Sequence, residues 1–299
     1  MNISDYKTGK YRGQRYKVAE NVFTLWLQEH DEIWRELTSY DLFRTDKDAT
    51  DNMFDLYVNR LADFPTDLPP YVEEAHQEEE GCEINVGRYG EFHSFEFVMM
   101  GILSCRLLTS ADYKAGIAYT DQERSYGINN AMMLLYAFAS SDRDTALFHS
   151  SVVSFQGKAY MFLGHSGMGK STHSSLWLKY IPGTELVNDD NPVVRIIDGE
   201  AIVYGSPWSG KTPCYRNVRY PVGAMVRINQ YPENRIQRLE GIPAYAALLP
   251  AISGMRWDKT ISEGIHNTEA WLAQHVPIYY LDCLPDEGAA QLCNSTVAH

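Results

Sequence analysis

Apolar and polar residues change their period several times along this chain, and each change marks an element. Phe23, Leu25 and Leu27 occupy alternate positions, as the inward face of a strand does. Phe54 to Leu61 reads as a helix, and with the other short runs before residue 64 it makes a mixed segment that carries no catalytic motif. Pro65-Thr66-Asp67-Leu68-Pro69-Pro70 then leads into Glu73, Glu74, Glu78, Glu79 and Glu80. Proline clusters and runs of like charge favour solvent, so 65–83 is expected to be a surface loop, an acidic metal cluster being the sharper alternative. Phe95, Phe97 and Met99 alternate again, whereas Ile128, Ala131, Met132, Leu135, Tyr136 and Ala139 recur at 3–4 spacing and predict an amphipathic helix. Ser140-Ser141-Asp142-Arg143-Asp144 breaks that pattern. A domain boundary is expected near Asp144, between an α+β region over 1–144 and a second domain over 145–299.

In the second half the signals come closer together. Val152 to Phe155 and Tyr160 to Leu163 are strand-like runs joined by Gln156-Gly157, which predicts a hairpin. A glycine-rich segment follows, and Lys170 to Tyr180 can form a helix leaving it. Glu185-Leu186-Val187-Asn188 is a short strand running into Asp189-Asp190, and Asp198-Gly199 closes another hairpin between Val193 and Tyr204. Ile242 to Leu249, Ile261 to Leu272, the strand-like Ile278-Tyr279-Tyr280-Leu281 and a final helix from Glu287 are read as scaffold.

Charge and cysteine content narrow the function classes. The 299 residues carry a formal net charge of -13, which argues against a general nucleic-acid binder, because affinity for the phosphate backbone needs a positive surface. The five cysteines are widely spaced and never form C-x-x-C, which fits neither a disulfide scaffold nor a zinc site. Met1 to Lys7 has no apolar stretch behind its charges, and Phe97 to Leu103 is far below the ~20 apolar residues that span a bilayer. The expectation is a cytoplasmic protein with no membrane partner.

The candidate chemistry lies in Gly164-His165-Ser166-Gly167-Met168-Gly169-Lys170-Ser171, which satisfies G-x-x-x-x-G-K-[ST] between a strand and a helix. Glycines let the backbone approach an anion, and the N–H groups at the helix start point towards it. Lys170 would neutralise the β- and γ-phosphates of ATP, and Ser171 would place its hydroxyl on Mg²⁺. Asp189-Asp190, some twenty residues on, stands where a magnesium carboxylate and a proton acceptor belong. Gly205 to Thr212 satisfies the same pattern, but Pro207 removes an N–H, Pro213 follows at once and no helical period comes after, so this loop is not expected to bind phosphate. Lys211, Arg216 and Arg219 make it basic in an otherwise acidic chain, suited to steadying a γ-phosphate or gripping an acidic substrate.

Four of these features together resemble a known family: His149 ahead of the hairpin, the Gly164 to Ser171 loop, Val187-Asn188-Asp189-Asp190, and the Asp198-Gly199 hairpin. Residues 149 to about 230 are similar to the C-terminal catalytic domain of HPr kinase/phosphorylase, whose fold is shared with the phosphoenolpyruvate carboxykinases and whose acidic stretch reads Val-Ala-Asp-Asp. The resemblance implies an α/β P-loop domain with a mixed sheet. It further implies that Asp189 is the general base, Asp190 a magnesium contact, His149 a helper near the transferred phosphate, and the Lys211 loop a neighbour of the acceptor site. Thr172 follows the Gly-Lys-Ser here, as in the carboxykinase loop, where HPr kinases have an acidic residue. The expected function is an ATP- and Mg²⁺-dependent kinase acting on a hydroxyl of a protein serine or a small molecule. A carboxykinase-like enzyme and a nucleotide-sensing module without turnover are the alternatives. By analogy with the ring-like assemblies of HPr kinases, a homo-oligomer is an open option.

Overall fold

A computed structural model describes residues 3–46, 51–79, 81–210 and 212–298. It divides into two compact units, Met1–Ala139 and Ser140–His299. Among the described residues no helix is long and apolar enough to cross a membrane.

Unit 1 is built from β1 (Tyr11–Val18), β2 (Asn21–Gln28), β3 (Asn52–Asn59), β4 (Tyr71–Glu79), β5 (Cys82–Tyr89), β6 (Phe92–Met99), β7 (Ile102–Thr109), β8 (Ala115–Tyr119) and α1 (Arg124–Ala139). The strands form one sheet in the order β1-β2-β3-β8-β7-β6-β5-β4. β3 lies parallel to both β2 and β8, and all other neighbours are antiparallel. Ile128, Ala131, Met132, Leu135 and Tyr136 of α1 are fully buried, as their 3–4 spacing predicts. Gly127 permits the close approach of this helix to β7, since a Cβ there would lie 2.7 Å from the Ser104 carbonyl oxygen.

Two expectations are corrected in this unit. Phe54 to Leu61 is no helix: it falls on β3, where Phe54, Leu56 and Val58 alternate on a buried face between two parallel neighbours. The 65–83 segment is a loop only as far as Pro70, because Tyr71–Glu79 pairs along its length with β5. Its acidic side chains suit this setting, since β4 is the edge strand of the sheet and charge on an edge discourages further pairing. Glu80 lies outside the described residues.

Unit 2 contains β9 (Thr145–Leu147), β10 (Ser150–Phe155), β11 (Lys158–Leu163), α2 (Lys170–Tyr180), β12 (Glu185–Asp190), β13 (Val193–Ile197), β14 (Glu200–Tyr204), β15 (Arg219–Gln230), β16 (Arg235–Leu239), α3 (Ile242–Leu248), α4 (Lys259–His275), β17 (Ile278–Cys283) and α5 (Glu287–Val297). The strands run β12-β10-β11-β15-β14-β13-β9, with β17 between β15 and β16. One edge of β15 serves two partners, β14 over Arg219 to Pro221 and β17 over Met225 to Gln230. The sheet is mixed: β11, β15 and β17 are parallel, while β10, β12, β13, β14 and β16 pair antiparallel.

Alternate residues of β11 face opposite ways, yet Tyr160, Met161, Phe162 and Leu163 are all buried, so both faces of the sheet are covered. On one face α2 and α5 pack together over Val153, Tyr160, Phe162, Ala224, Val226 and Leu281, contributing Trp177, Ile181, Ala289, Ala290 and Cys293. This layer holds the start of α2, and with it the glycine-rich loop, against the end of β11.

Candidate phosphate-binding site

Strand register brings three segments to one edge. Ser150 opens β10 opposite Leu163 of β11 on one side and Asp190 of β12 on the other. His149, one residue before β10, is therefore flanked by the glycine-rich loop, which begins at Gly164, and by the acidic pair. The side chains close the gap. Lys170 Nζ lies 2.8 Å from His149 Nε2, 3.0 Å from the Gly164 carbonyl oxygen and 3.1 Å from that of His165. His149 Nδ1 lies 3.0 Å from Asp190 Oδ1.

The proton positions along this chain follow from donor capacity. An ammonium can only donate, so His149 Nε2 accepts, and the imidazole proton sits on Nδ1 and is donated to Asp190. Asp190 Oδ2 also accepts from Asn191 Nδ2 at 2.7 Å. Asp190 stands at φ 140, a strained value for a residue with a side chain. Asp189, beside it, is 4% exposed, and its carbonyl oxygen accepts from Gly210 N–H at 2.7 Å.

The loop has the features of an anion cradle. Gly167 and Gly169 have φ of 75 and 96, a region open to glycine at little cost. Gly169 is the N-cap of α2 and has no side chain to cap the first turn, which includes Lys170, Ser171 and Thr172. His165, Ser166, Gly167, Ser171 and Thr172 are exposed, while Lys170 is 8% exposed and folded back on the loop's own carbonyls. An ammonium inside the curve of the loop, beside the N-terminus of a helix, fits a phosphate. Among the described residues no group of three or more His, Cys, Asp or Glu forms a metal site. A magnesium ion held by the Ser171 hydroxyl, the Asp190 carboxylate and phosphate oxygens needs no such group.

Packing of α2 fixes this loop in place. Trp177 is fully buried against the rings of Phe155, Tyr160 and Phe162. Its indole N–H donates to His173 Nε2 at 3.1 Å, and the His173 ring meets Phe162 edge-on. Burial lowers the His173 pKa from its ordinary 6.5 to about 4. Above pH 6.5 both folded and unfolded chains carry this imidazole neutral; below it only the unfolded chain gains the proton, so stability falls as pH drops towards 4. At pH 5 the expected loss from this one group is roughly 2 kcal/mol relative to pH 7. Denaturant unfolding at both pH values, with His173→Gln narrowing the difference, checks it.

The second loop of the same pattern is built differently. No helix follows Thr212, and residues 213–218 are irregular. Instead the loop is tied to the acidic pair. Asn188 is fully buried; its Nδ2 donates to the Trp208 carbonyl oxygen at 3.1 Å and Ser206 Oγ at 3.3 Å, while its Oδ1 accepts from Asn191 N–H at 2.9 Å. Ser206 Oγ lies 2.6 Å from the Asn191 carbonyl oxygen. Asn188→Ala would leave the buried Asn191 N–H without its acceptor and remove the donor to Trp208 and Ser206, and is expected to lower stability by about 2 kcal/mol, read as a shift in the denaturation midpoint.

Of the sequence-derived candidates, Lys170, His149 and Asp190 are thus hydrogen-bonded in series, and Asp189 adjoins them. Lys211 lies outside the described residues; Gly210, its neighbour, and Ser209 both donate to the Asp189 carbonyl oxygen. Arg216 is elsewhere: its guanidinium reaches Leu186 O and pairs with Glu185 Oε2 at 2.8 Å, which raises its pKa and occupies its charge. Asn188 and Ser206 went unrecognised in the sequence, since nothing local shows which residues lie across from them; the His173–Trp177 pair was also passed over, although its spacing of four on the expected helix is a local signal for contact.

No family model and no curated protein matches the sequence. Among solved structures the chain is similar to the HPr(Ser) kinase/phosphatase of Coxiella burnetii, at 12% identity and a TM-score of 0.31, over 51% of this chain and 93% of that one. Function is therefore argued from the site.

Proposed function

We propose that this chain binds ATP and Mg²⁺ at Gly164 to Ser171 and transfers the γ-phosphoryl group to a hydroxyl of a protein serine or a small molecule. The observation that carries the reading is the hydrogen-bonded series Lys170–His149–Asp190, which joins an anion cradle to an acidic pair. Lys170 turns from the loop carbonyls to the β- and γ-phosphates, and the backbone N–H groups of Gly167, Gly169 and the first turn of α2 hold the same oxygens. Mg²⁺, when bound by Ser171 and Asp190, neutralises charge on the phosphate oxygens.

Asp189 acts as general base. It takes the proton of the acceptor hydroxyl as that oxygen bonds to the γ-phosphorus, and the bond from that phosphorus to the β–γ bridging oxygen breaks, releasing ADP. His149 keeps Asp190 and Lys170 in a fixed relation, and Lys211 adds positive charge beside the acceptor. Incubation with γ-labelled ATP and candidate acceptors tests this. Asp189→Asn is expected to lower transfer by about 10²–10⁴-fold while leaving ATP affinity within a few fold. Undiminished transfer by that variant would remove Asp189 from the mechanism.

A further inference from the structure

The carboxyl ends of three parallel strands lie side by side in unit 2. Leu163 of β11 pairs with Arg227 of β15, and Gln230 of β15 pairs with Cys283 of β17. Crevices off such ends are where ligands sit in parallel α/β sheets. Here a cavity of about 500 Å³ opens between the first turns of α2 and the segments that leave β15 and β17. Its volume falls within the range of small-molecule sites.

The walls are apolar, formed by Met168, Leu176, Ile228, Pro232, Leu284 and Pro285. His173 adds ring surface, locked by Trp177 and neutral because its Nε2 accepts from an indole N–H. Among the described residues no Asp, Glu, Lys or Arg lines the space. Met168 and Gly169 belong both to this wall and to the glycine-rich loop, so cavity and anion cradle are continuous. An uncharged, largely apolar space joined to a phosphate site suits a heteroaromatic base.

One side chain in the lining can read such a base by hydrogen bonds. Gln230 Nε2 donates to the Gly167 carbonyl oxygen at 3.0 Å, which tethers the amide to the loop and leaves its second N–H and its oxygen. A free amide N–H and oxygen match the N7 acceptor and N6 amino donor of adenine; guanine offers acceptors at both N7 and O6 and opposes the amide oxygen. The absence of a carboxylate likewise leaves the N1–H and amino group of guanine unmatched.

We infer that this cavity seats the base of the nucleotide whose phosphates lie on Gly164 to Ser171, and that the Gln230 amide selects adenine there. The inference rests on the phosphate-binding reading above, and the test separates the two. The full chain is titrated calorimetrically with ATP, GTP and inorganic triphosphate, each with Mg²⁺. ATP is expected to bind about tenfold or more tighter than triphosphate, and on the order of tenfold tighter than GTP. Gln230→Ala brings ATP and GTP within about twofold of each other without weakening triphosphate by more than about threefold. Leu284→Glu places a carboxylate at the cavity rim, at a side chain already 40% exposed, and weakens ATP by a larger factor than it weakens triphosphate. Equal affinity for ATP and triphosphate overturns the base site and leaves the phosphate loop standing. Failure of triphosphate and ATP alike overturns both.

Discussion

Replacing Lys170 by Met is expected to weaken MgATP binding by roughly a hundredfold, because it removes the charged donor at the centre of the loop while keeping an unbranched chain of similar length. Lys170 is 8% exposed and surrounded by acceptors: Gly164 O, His165 O and His149 Nε2. No other ammonium among the described residues reaches these loop carbonyls. The backbone donors remain in the variant, so residual binding persists at high nucleotide concentration. Calorimetry checks the affinity, and an unfolding curve recorded alongside separates loss of the ligand site from loss of the fold. Unchanged affinity in a folded Lys170→Met protein would mean that nucleotide, if bound, is held elsewhere.

The largest stability effect is expected from Trp177→Ala, at about 3–5 kcal/mol. Three aromatic rings lose their contact with the indole, and His173 Nε2 loses its donor. That loss is a large part of the ~5–15 kcal/mol by which domains are stable. Because α2 begins at Lys170 and Trp177 anchors the same helix, the variant is also expected to bind ATP more weakly. Trp177→Phe keeps an aromatic ring and restores part of the packing but not the indole bond. Equilibrium unfolding with a probe specific to unit 2 measures all three proteins.

The contrast between what was readable and what was not has a physical basis. From Val152 to Asp190 each element follows the last within a few residues, and hairpin turn, glycine loop, helix and strand all signal locally. Observed α2 spans the expected Lys170–Tyr180, and β12 begins at Glu185 as expected and continues through the acidic pair to Asp190. β3 is a different case: Phe54, Val58 and Leu61 fit a helical spacing, while Phe54, Leu56 and Val58 fit a strand. Only pairing with β2 and β8, the latter nearly sixty residues on, decides between them. β4 was hidden by its glutamates, because an edge strand draws on backbone pairing and can leave its side chains in water.

The site divides along the same line. The loop and the acidic pair are contiguous motifs, and their residue types announce phosphate and metal chemistry. Their junction through His149 depends on which strands pair on either side of Ser150, which is a property of the sheet. Asn188 and Gln230 act on partners 20 and 63 residues away, Trp208 and Gly167, so neither could be picked out by spacing.

Two segments of this chain share one phosphate-loop pattern, and phosphate is assigned to the first alone. A crystal structure of the full chain with ADP, a γ-phosphate mimic and Mg²⁺ tests that assignment most directly. Phosphate oxygens are expected within hydrogen-bond distance of the Gly167, Gly169, Lys170 and Ser171 N–H groups, with the Lys170 ammonium moved from the Gly164 and His165 carbonyls onto the β- and γ-phosphates. Phosphate bound at Gly205 to Thr212, with Lys170 still on its own loop, would contradict it.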